Sequence, residues 1–289
     1  MKVLIAGASG LVGGNCMQYF GKQGWDVVGT YFSYPAANTV FYDTLNPENP
    51  QNFDIKAYSP DVILHCGALT HVDYCEQNEA ESYQKTVVST QNLIKLSNEL
   101  KCIFVFISTD YIFDGKAGPY DENQSPNPLS IYGRHKLEAE ELVKSSCEKN
   151  LILRITNVYG DEERGKNFVS RIIDQAKNGQ HLTLKLPVDQ YATPINAADI
   201  AKALYLLLKD KHCGVFNIAS TDYMNRVQLA QTILKHFPLA SYDMIPLLTK
   251  DMNQPAARPL QGGLKSEKFL ALYPTFEFSN VDDYLRERV

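Results

Sequence analysis

The 289 residues are 44% hydrophobic and 21% charged, an ordinary globular composition with enough chain for one large α/β domain or two smaller ones. A net charge of −5 without a Lys/Arg cluster argues against a nucleic-acid binder, and apolar runs such as 203–208 fall far short of the ~20 residues that cross a membrane. Six cysteines (Cys16, Cys66, Cys75, Cys102, Cys147 and Cys213) are scattered without a CxxC pair, and the first residues read as a strand rather than a secretory signal. Both features predict reduced thiols in a cytoplasmic protein and no metal site.

The first strand, 2–6, runs straight into Gly7-Ala-Ser9-Gly10-Leu11-Val12-Gly13, and a helix continues to about residue 20. Strand, glycine-rich turn and helix in that order form a dinucleotide-binding unit. Gly7 permits the tight turn, Gly10 lets backbone N–H groups approach a pyrophosphate, and Gly13 lets the helix close on the sheet. Ser9, Leu11 and Val12 belong to the same loop and helix N-terminus, which favours phosphate charge. The second strand, 26–31, leads into Thr30-Tyr31-Phe32-Ser33. NAD-specific folds place an acid there for the ribose hydroxyls. This chain has none, and Asp26 lies at the wrong end. No carboxylate repels a 2′-phosphate, so the cofactor reading leans to NADP over NAD, with Tyr31 and Ser33 on the adenosine side. No Arg or Lys follows the strand to receive that phosphate.

A third strand, 39–42, ends in Asp43-Thr44, and a helix stops at Ser59 before Pro60. The fourth strand, 61–66, ends in Cys66-Gly67-Ala68, small residues that let backbone lie against a cofactor. His65, inside that strand, reads as a core histidine. A long helix is predicted over 79–100. The fifth strand, 102–107, is apolar enough to be buried on both faces of a parallel sheet. Ser108 and Thr109 follow, at the carboxyl end where such sheets bind ligands.

A loop rich in Gly, Pro, Asn and Asp then reaches Ser130, a helix cap, and Tyr132-Gly-Arg-His-Lys136. Four residues apart, Tyr132 and Lys136 share a helix face. An ammonium near the phenol would lower a pKa that is ordinarily ~10. A Thr109 hydroxyl would hydrogen-bond the substrate oxygen that Tyr132 protonates. Arg154, inside the sixth strand (151–155), requires an ionic partner. Beyond it come a helix to about 177 opened near Asn167 and Phe168, a short strand 181–184, a helix 197–208 capped by Asn196, a strand 214–219, and helices at 225–237, from 264, and at 281–289.

STDYIFDG followed by PY, then P-x-x-x-Y-G-x-x-K-x-x-x-E, resembles the extended short-chain dehydrogenase/reductases. The likeness is greatest to the branch of dTDP-4-dehydrorhamnose reductase and the related methionine adenosyltransferase regulatory β subunit. Matches are dense at 3–13, 61–76, 106–136 and 154–160 and looser in the C-terminal third. The resemblance implies a Rossmann-type doubly wound parallel sheet with a smaller C-terminal substrate lobe. Residues 1–160 would form the NAD(P) domain, 185–212 would return to it, and 161–289 would mainly form the lobe.

The resemblance also assigns roles. Thr109, Tyr132 and Lys136 become the catalytic triad, with Tyr132 and Lys136 touching the cofactor as well. Asp43 and Thr44 fall at the adenine, and Thr70 and Val72 at the sugar end. Asn157 lies in R-x-x-x-V-Y-G, Gln190 in Val188–Pro194, and Arg258 in A-x-R-P, where it would clamp a nucleotide diphosphate. The family's Asn near position 86 is replaced by Thr86, a hydroxyl for an amide. The implied activity is NAD(P)H-dependent reduction of a nucleotide-activated 4-keto-6-deoxy sugar, with no nucleic-acid or membrane partner and room for a homodimer. Two other readings stand beside it: a non-catalytic NADP-binding regulatory subunit, and a sugar-nucleotide epimerase or dehydratase. The missing acid after strand two weighs against the last.

Overall fold

A computed structural model describes residues 1–147 and 149–288. In chain order its elements are β1 (Lys2–Ala6), α1 (Leu11–Lys22), β2 (Asp26–Tyr31), β3 (Thr39–Phe41), α2 (Ile55–Tyr58), β4 (Val62–His65), α3 (Val72–Gln77), α4 (Glu79–Tyr83), α5 (Ser89–Leu100), β5 (Ile103–Thr109), α6 (Ile131–Ser146), β6 (Asn150–Ile155), β7 (Val158–Tyr159) and α7 (Phe168–Lys177). There follow β8 (Leu182–Pro187), β9 (Tyr191–Ala192), β10 (Ile195–Asn196), α8 (Ala197–Lys209), β11 (Gly214–Asn217), β12 (Met224–Asn225), α9 (Arg226–Lys235), β13 (Tyr242–Leu247), α10 (Glu267–Leu272) and α11 (Val281–Arg286).

The central sheet has the order β11-β6-β5-β4-β1-β2-β3, and every neighbouring pair is parallel. This is the Rossmann-type α/β fold. The chain winds outward from β1 in both directions, so the carboxyl ends of β1 and β4 flank a switch point where a crevice opens. Val62, Ile63, Leu64, Phe104 and Val105 are fully buried because helices cover both faces. Each such side chain contributes roughly 1.5–3 kcal/mol of transfer free energy. One face carries Val3, Ile5, Leu64 and Leu153 against Phe20 of α1 and Leu204 and Leu207 of α8. The other carries Leu4, Ile63 and Phe104 against Leu93 of α5 and Val143 of α6. A separate cluster of Tyr159, Ile172, Leu229, Ile233 and Leu285 holds together α7, α9, α11 and the β8–β13 pair. No described helix is long and apolar enough to cross a membrane.

Several elements differ from the sequence reading, for local reasons. The stretch expected as one helix over 79–100 is α4 and α5 joined by a π turn, Gln84–Val88. The inserted residue leaves the apolar spacing almost unchanged, so periodicity does not reveal it. α3 occupies a segment read as a substrate loop, and His71 starts it by accepting Tyr74 N–H at 3.0 Å on Nδ1. β13 is mostly exposed and contains Pro246, so it shows neither alternation nor an apolar run. The helix expected from 264 starts at Glu267, and Val289, the last residue of the expected final helix, lies outside the described residues. Arg154 has the partner that burial demands. Its guanidinium donates to both carboxylate oxygens of the fully buried Glu140, at 3.0 and 2.8 Å, tying β6 to α6.

Candidate functional site

A cleft of about 980 Å³ opens at the switch point. Gly7 begins it with φ +87°, and a Cβ there would stand 2.8 Å from the Gly67 nitrogen, so only glycine lets the β1 and β4 ends approach this closely. A Cβ on Gly13 would meet the Gly7 carbonyl at 2.5 Å, which would prevent α1 from reaching the sheet. Gly10 differs, because a Cβ on it would have only the Gly7 carbonyl nearby, at 3.4 Å. It is also the N-cap of α1, where no side chain caps the helix and no acid stands in the first turn. The first N–H groups of α1 therefore have no capping side chain and no acid of their own turn to satisfy them. That arrangement fits the pyrophosphate of a dinucleotide.

The cleft is lined by Gly7, Ser9, Gly10, Leu11, Val12 and Gly13 at the glycine loop, and by Tyr31 and Ser33 after β2. Asp43 and Thr44, Cys66, Gly67 and Ala68, and Thr70 and Val72 follow along it. Thr109, Tyr132, Lys136 and Asn157 close the far side. Asp43 is also a turn residue, since its Oδ1 accepts Leu45 N–H at 2.9 Å. Thr44 is held by Ser89, whose hydroxyl donates to its Oγ1 at 2.8 Å.

Two candidates lie elsewhere. Gln190 does not line the cleft; its amide donates to Thr249 Oγ1 at 3.0 Å and Gln254 Oε1 at 3.2 Å. Arg258 does not line it either. Its guanidinium pairs with Asp73, at 2.8 Å, and donates to the Ala256 carbonyl.

At the reactive end, Thr109 ends β5 and Ser130 caps α6 by accepting Gly133 N–H at 3.2 Å. The cap fixes where α6 begins and so sets Tyr132 against the strand end. Burial pushes the Tyr132 phenol well above its ordinary pKa, and a hydrogen bond with the Thr109 hydroxyl opposes that rise. Lys136 is buried, and its ammonium donates to the Ile107 carbonyl and lies 4.0 Å from the Phe106 ring centre. Desolvation lowers its pKa to about 7, against the pull of Glu140. The Lys136 charge bears on His65, whose pKa it lowers, and on Cys66, whose rise it opposes. His65 is neutral, pushed down to about 3 by burial and by that ammonium.

Several lining residues are absent from the sequence reading. Asp110, fully desolvated and with its pKa raised by burial, accepts from Thr156 Oγ1 at 2.7 Å, Gly263 N–H at 3.1 Å and Thr109 Oγ1 at 3.3 Å. It joins the strand end to the C-terminal segment. Tyr111 stands edge-on to Tyr132, ring centres 5.6 Å apart. Both follow Thr109 directly, so their adjacency to the strand end was the available signal. Arg226 enters from α9 and donates to Asn157 Oδ1 at 2.7 Å, across 69 residues that no local pattern bridges. The Thr86 hydroxyl, buried in the π turn, has no hydrogen-bond partner among the described residues.

A family model described as RmlD substrate binding domain matches residues 1–281. The chain belongs to that family. Among solved structures, the dTDP-4-dehydrorhamnose reductase of Clostridium acetobutylicum is similar at 28% identity and TM-score 0.84, covering 99% of this chain and 98% of its own. That of Bacillus anthracis, in complex with NADP, is similar at 26% identity and TM-score 0.85, covering 99% and 97%. Methionine adenosyltransferase 2 subunit beta of Danio rerio is 27% identical over 99% of this chain and 89% of its own length. The chain is therefore similar both to proteins named as reductases and to one named as a subunit of another enzyme.

Proposed function

We propose that the protein is an NAD(P)H-dependent reductase of a nucleotide-activated 4-keto-6-deoxy sugar, with dTDP-4-dehydrorhamnose as its substrate. The observation that carries the reading is a single cleft lined at one end by the dinucleotide loop and at the other by Thr109, Tyr132 and Lys136. Similarity to reductases, one of them in complex with NADP, supports it.

When bound, the nicotinamide supplies a hydride to the sugar's keto carbon. The chain's own residues do the rest. Thr109 would turn the hydroxyl proton it gives to Asp110 Oδ1 toward the carbonyl oxygen and fix that oxygen's direction. Tyr132, kept protonated across the neutral range by burial, delivers its proton as negative charge develops on that oxygen. Lys136 is held by the Ile107 carbonyl, where it would face the nicotinamide ribose. Asp110 positions Thr109 and the Gly263 segment without touching the reacting atoms.

The test is spectrophotometric. Supplied with dTDP-4-dehydrorhamnose, the protein should consume NADPH, and Tyr132→Phe should slow that consumption by roughly 10²–10⁴-fold, the range of a positioned general acid, while NADPH still binds. Equal rates in the two proteins would remove Tyr132 from the mechanism. A second reading, a regulatory subunit that binds NADP, is favoured by the named subunit-beta relatives. It predicts co-purification with a synthetase and no turnover of any sugar nucleotide.

A further inference from the structure

The sequence places no cation after β2, yet the fold brings one there from a distant segment. Residues 161–167 leave β7 and cross the cleft before α7 begins. At one end the Asp161 carbonyl accepts the Asn15 side chain of α1 at 3.0 Å. At the other, Asn167 caps α7 and donates to the Gly160 carbonyl at 3.0 Å. Between these anchors, Glu162, Arg164, Gly165 and Lys166 line the same cleft as the glycine loop. The Arg164 guanidinium lies 5.0 Å from the ring centre of Tyr34, three residues beyond the end of β2 and next to Ser33. That strand end is where a Rossmann unit meets the adenosine ribose.

The charges of this segment are distributed unevenly. Asp161 is neutralised by Arg288, Glu162 is occupied by the backbone and side-chain N–H groups of Asn167, and Glu163 is exposed and does not line the cleft. Arg164 has no carboxylate or hydrogen-bond partner among the described residues, and Ser33 and its neighbours bring no acid. A guanidinium resting on a tyrosine ring with its donors unspent suits a phosphate, which it binds bidentately.

We propose that residues 161–167 are the element that selects NADP over NAD, with Arg164 receiving the adenosine 2′-phosphate beside Ser33 and Tyr34. The inference rests on the dinucleotide-binding part of the proposed function and fixes its open point, which of the two cofactors is used. It also explains why the strand-two segment can lack the expected basic residue, since the cation arrives over the top of the site.

Isothermal titration of the full chain with NADP, NAD, 2′,5′-ADP and 5′-AMP tests it without measuring turnover. The expected result for Arg164→Ala is a roughly 10–100-fold weaker Kd for NADP and for 2′,5′-ADP, the scale of a lost charge-assisted contact. NAD and 5′-AMP should change less than about 2-fold, and Arg164→Lys should recover part of the loss. Equal weakening for all four ligands would make the segment a cover without selectivity and overturn the proposal. So would unchanged NADP binding, or a chain that binds no dinucleotide. Arg164-dependent NADP binding without sugar reduction would keep this inference and remove the reductase reading. NADP binding indifferent to Arg164 would do the reverse.

Discussion

Lys136 is the residue whose environment departs furthest from its chemistry in water. Burial lowers its pKa from the ordinary 10.5 to about 7, although Glu140 stands nearby and Ile107 offers a carbonyl. The sign of the linkage follows. Below about pH 7 the lysine is charged in both folded and unfolded chains, and the full desolvation cost is present. Between about 7 and 10.5 the unfolded chain binds a proton that the folded one does not, so this group's contribution to stability rises with pH. Lys136→Met removes the buried charge. In the cofactor-free protein it should raise the melting temperature by about 3 °C at pH 6 and leave it nearly unchanged at pH 10, as read by calorimetry. A gain that grows with pH would contradict the assignment. The lysine is thus a buried, destabilising cation that lines the cleft, as groups placed for function commonly are.

At the scale of elements, α6 carries both Tyr132 and Lys136, so whatever fixes α6 fixes the proposed proton donor. One such constraint is the buried pair of Glu140 and Arg154, with Lys144 3.5 Å from the same carboxylate. Removing one partner leaves an uncompensated charge; removing both does not. Arg154→Met should therefore cost about 3–5 kcal/mol in denaturant unfolding, and adding Glu140→Leu should recover most of it. If the double variant is less stable than Arg154→Met alone, the pair is not acting as a mutually compensating unit. The π turn between α4 and α5 is the second constraint on this region. It leads into α5, whose first residue, Ser89, lines the cleft and reaches both Thr44 and, at 3.4 Å, His65.

At the scale of the molecule, what was legible in the sequence follows chain proximity. The sheet strands are apolar runs bounded by glycine, proline or polar residues, and the glycine loop is contiguous with β1, so the Rossmann-type fold could be read directly. The same holds for Thr109, Tyr132 and Lys136, which lie on one strand end and one capped helix. The residues that escaped are those the fold imports. Arg226 meets Asn157 across 69 residues, Asp110 meets Gly263 across 153, and Arg164 meets Tyr34 from the segment between β7 and α7. Arg258 pairs with Asp73, a partner that its A-x-R-P context does not signal. β13 escaped because an exposed edge strand has no reason to show a pattern.

The central claim is that one cleft holds a pyridine nucleotide beside a proton donor and uses both on a keto sugar. The most direct measurement is isotopic. The protein is incubated with dTDP-4-dehydrorhamnose and NADPH carrying deuterium at nicotinamide C4, on either face, and the sugar product is analysed by mass spectrometry and proton NMR. One of the two labelled faces should yield a sugar nucleotide with a single deuterium at C4, in a reaction lost with Tyr132→Phe. Recovery of unreduced keto sugar from both incubations, with NADPH bound and intact, would contradict the account.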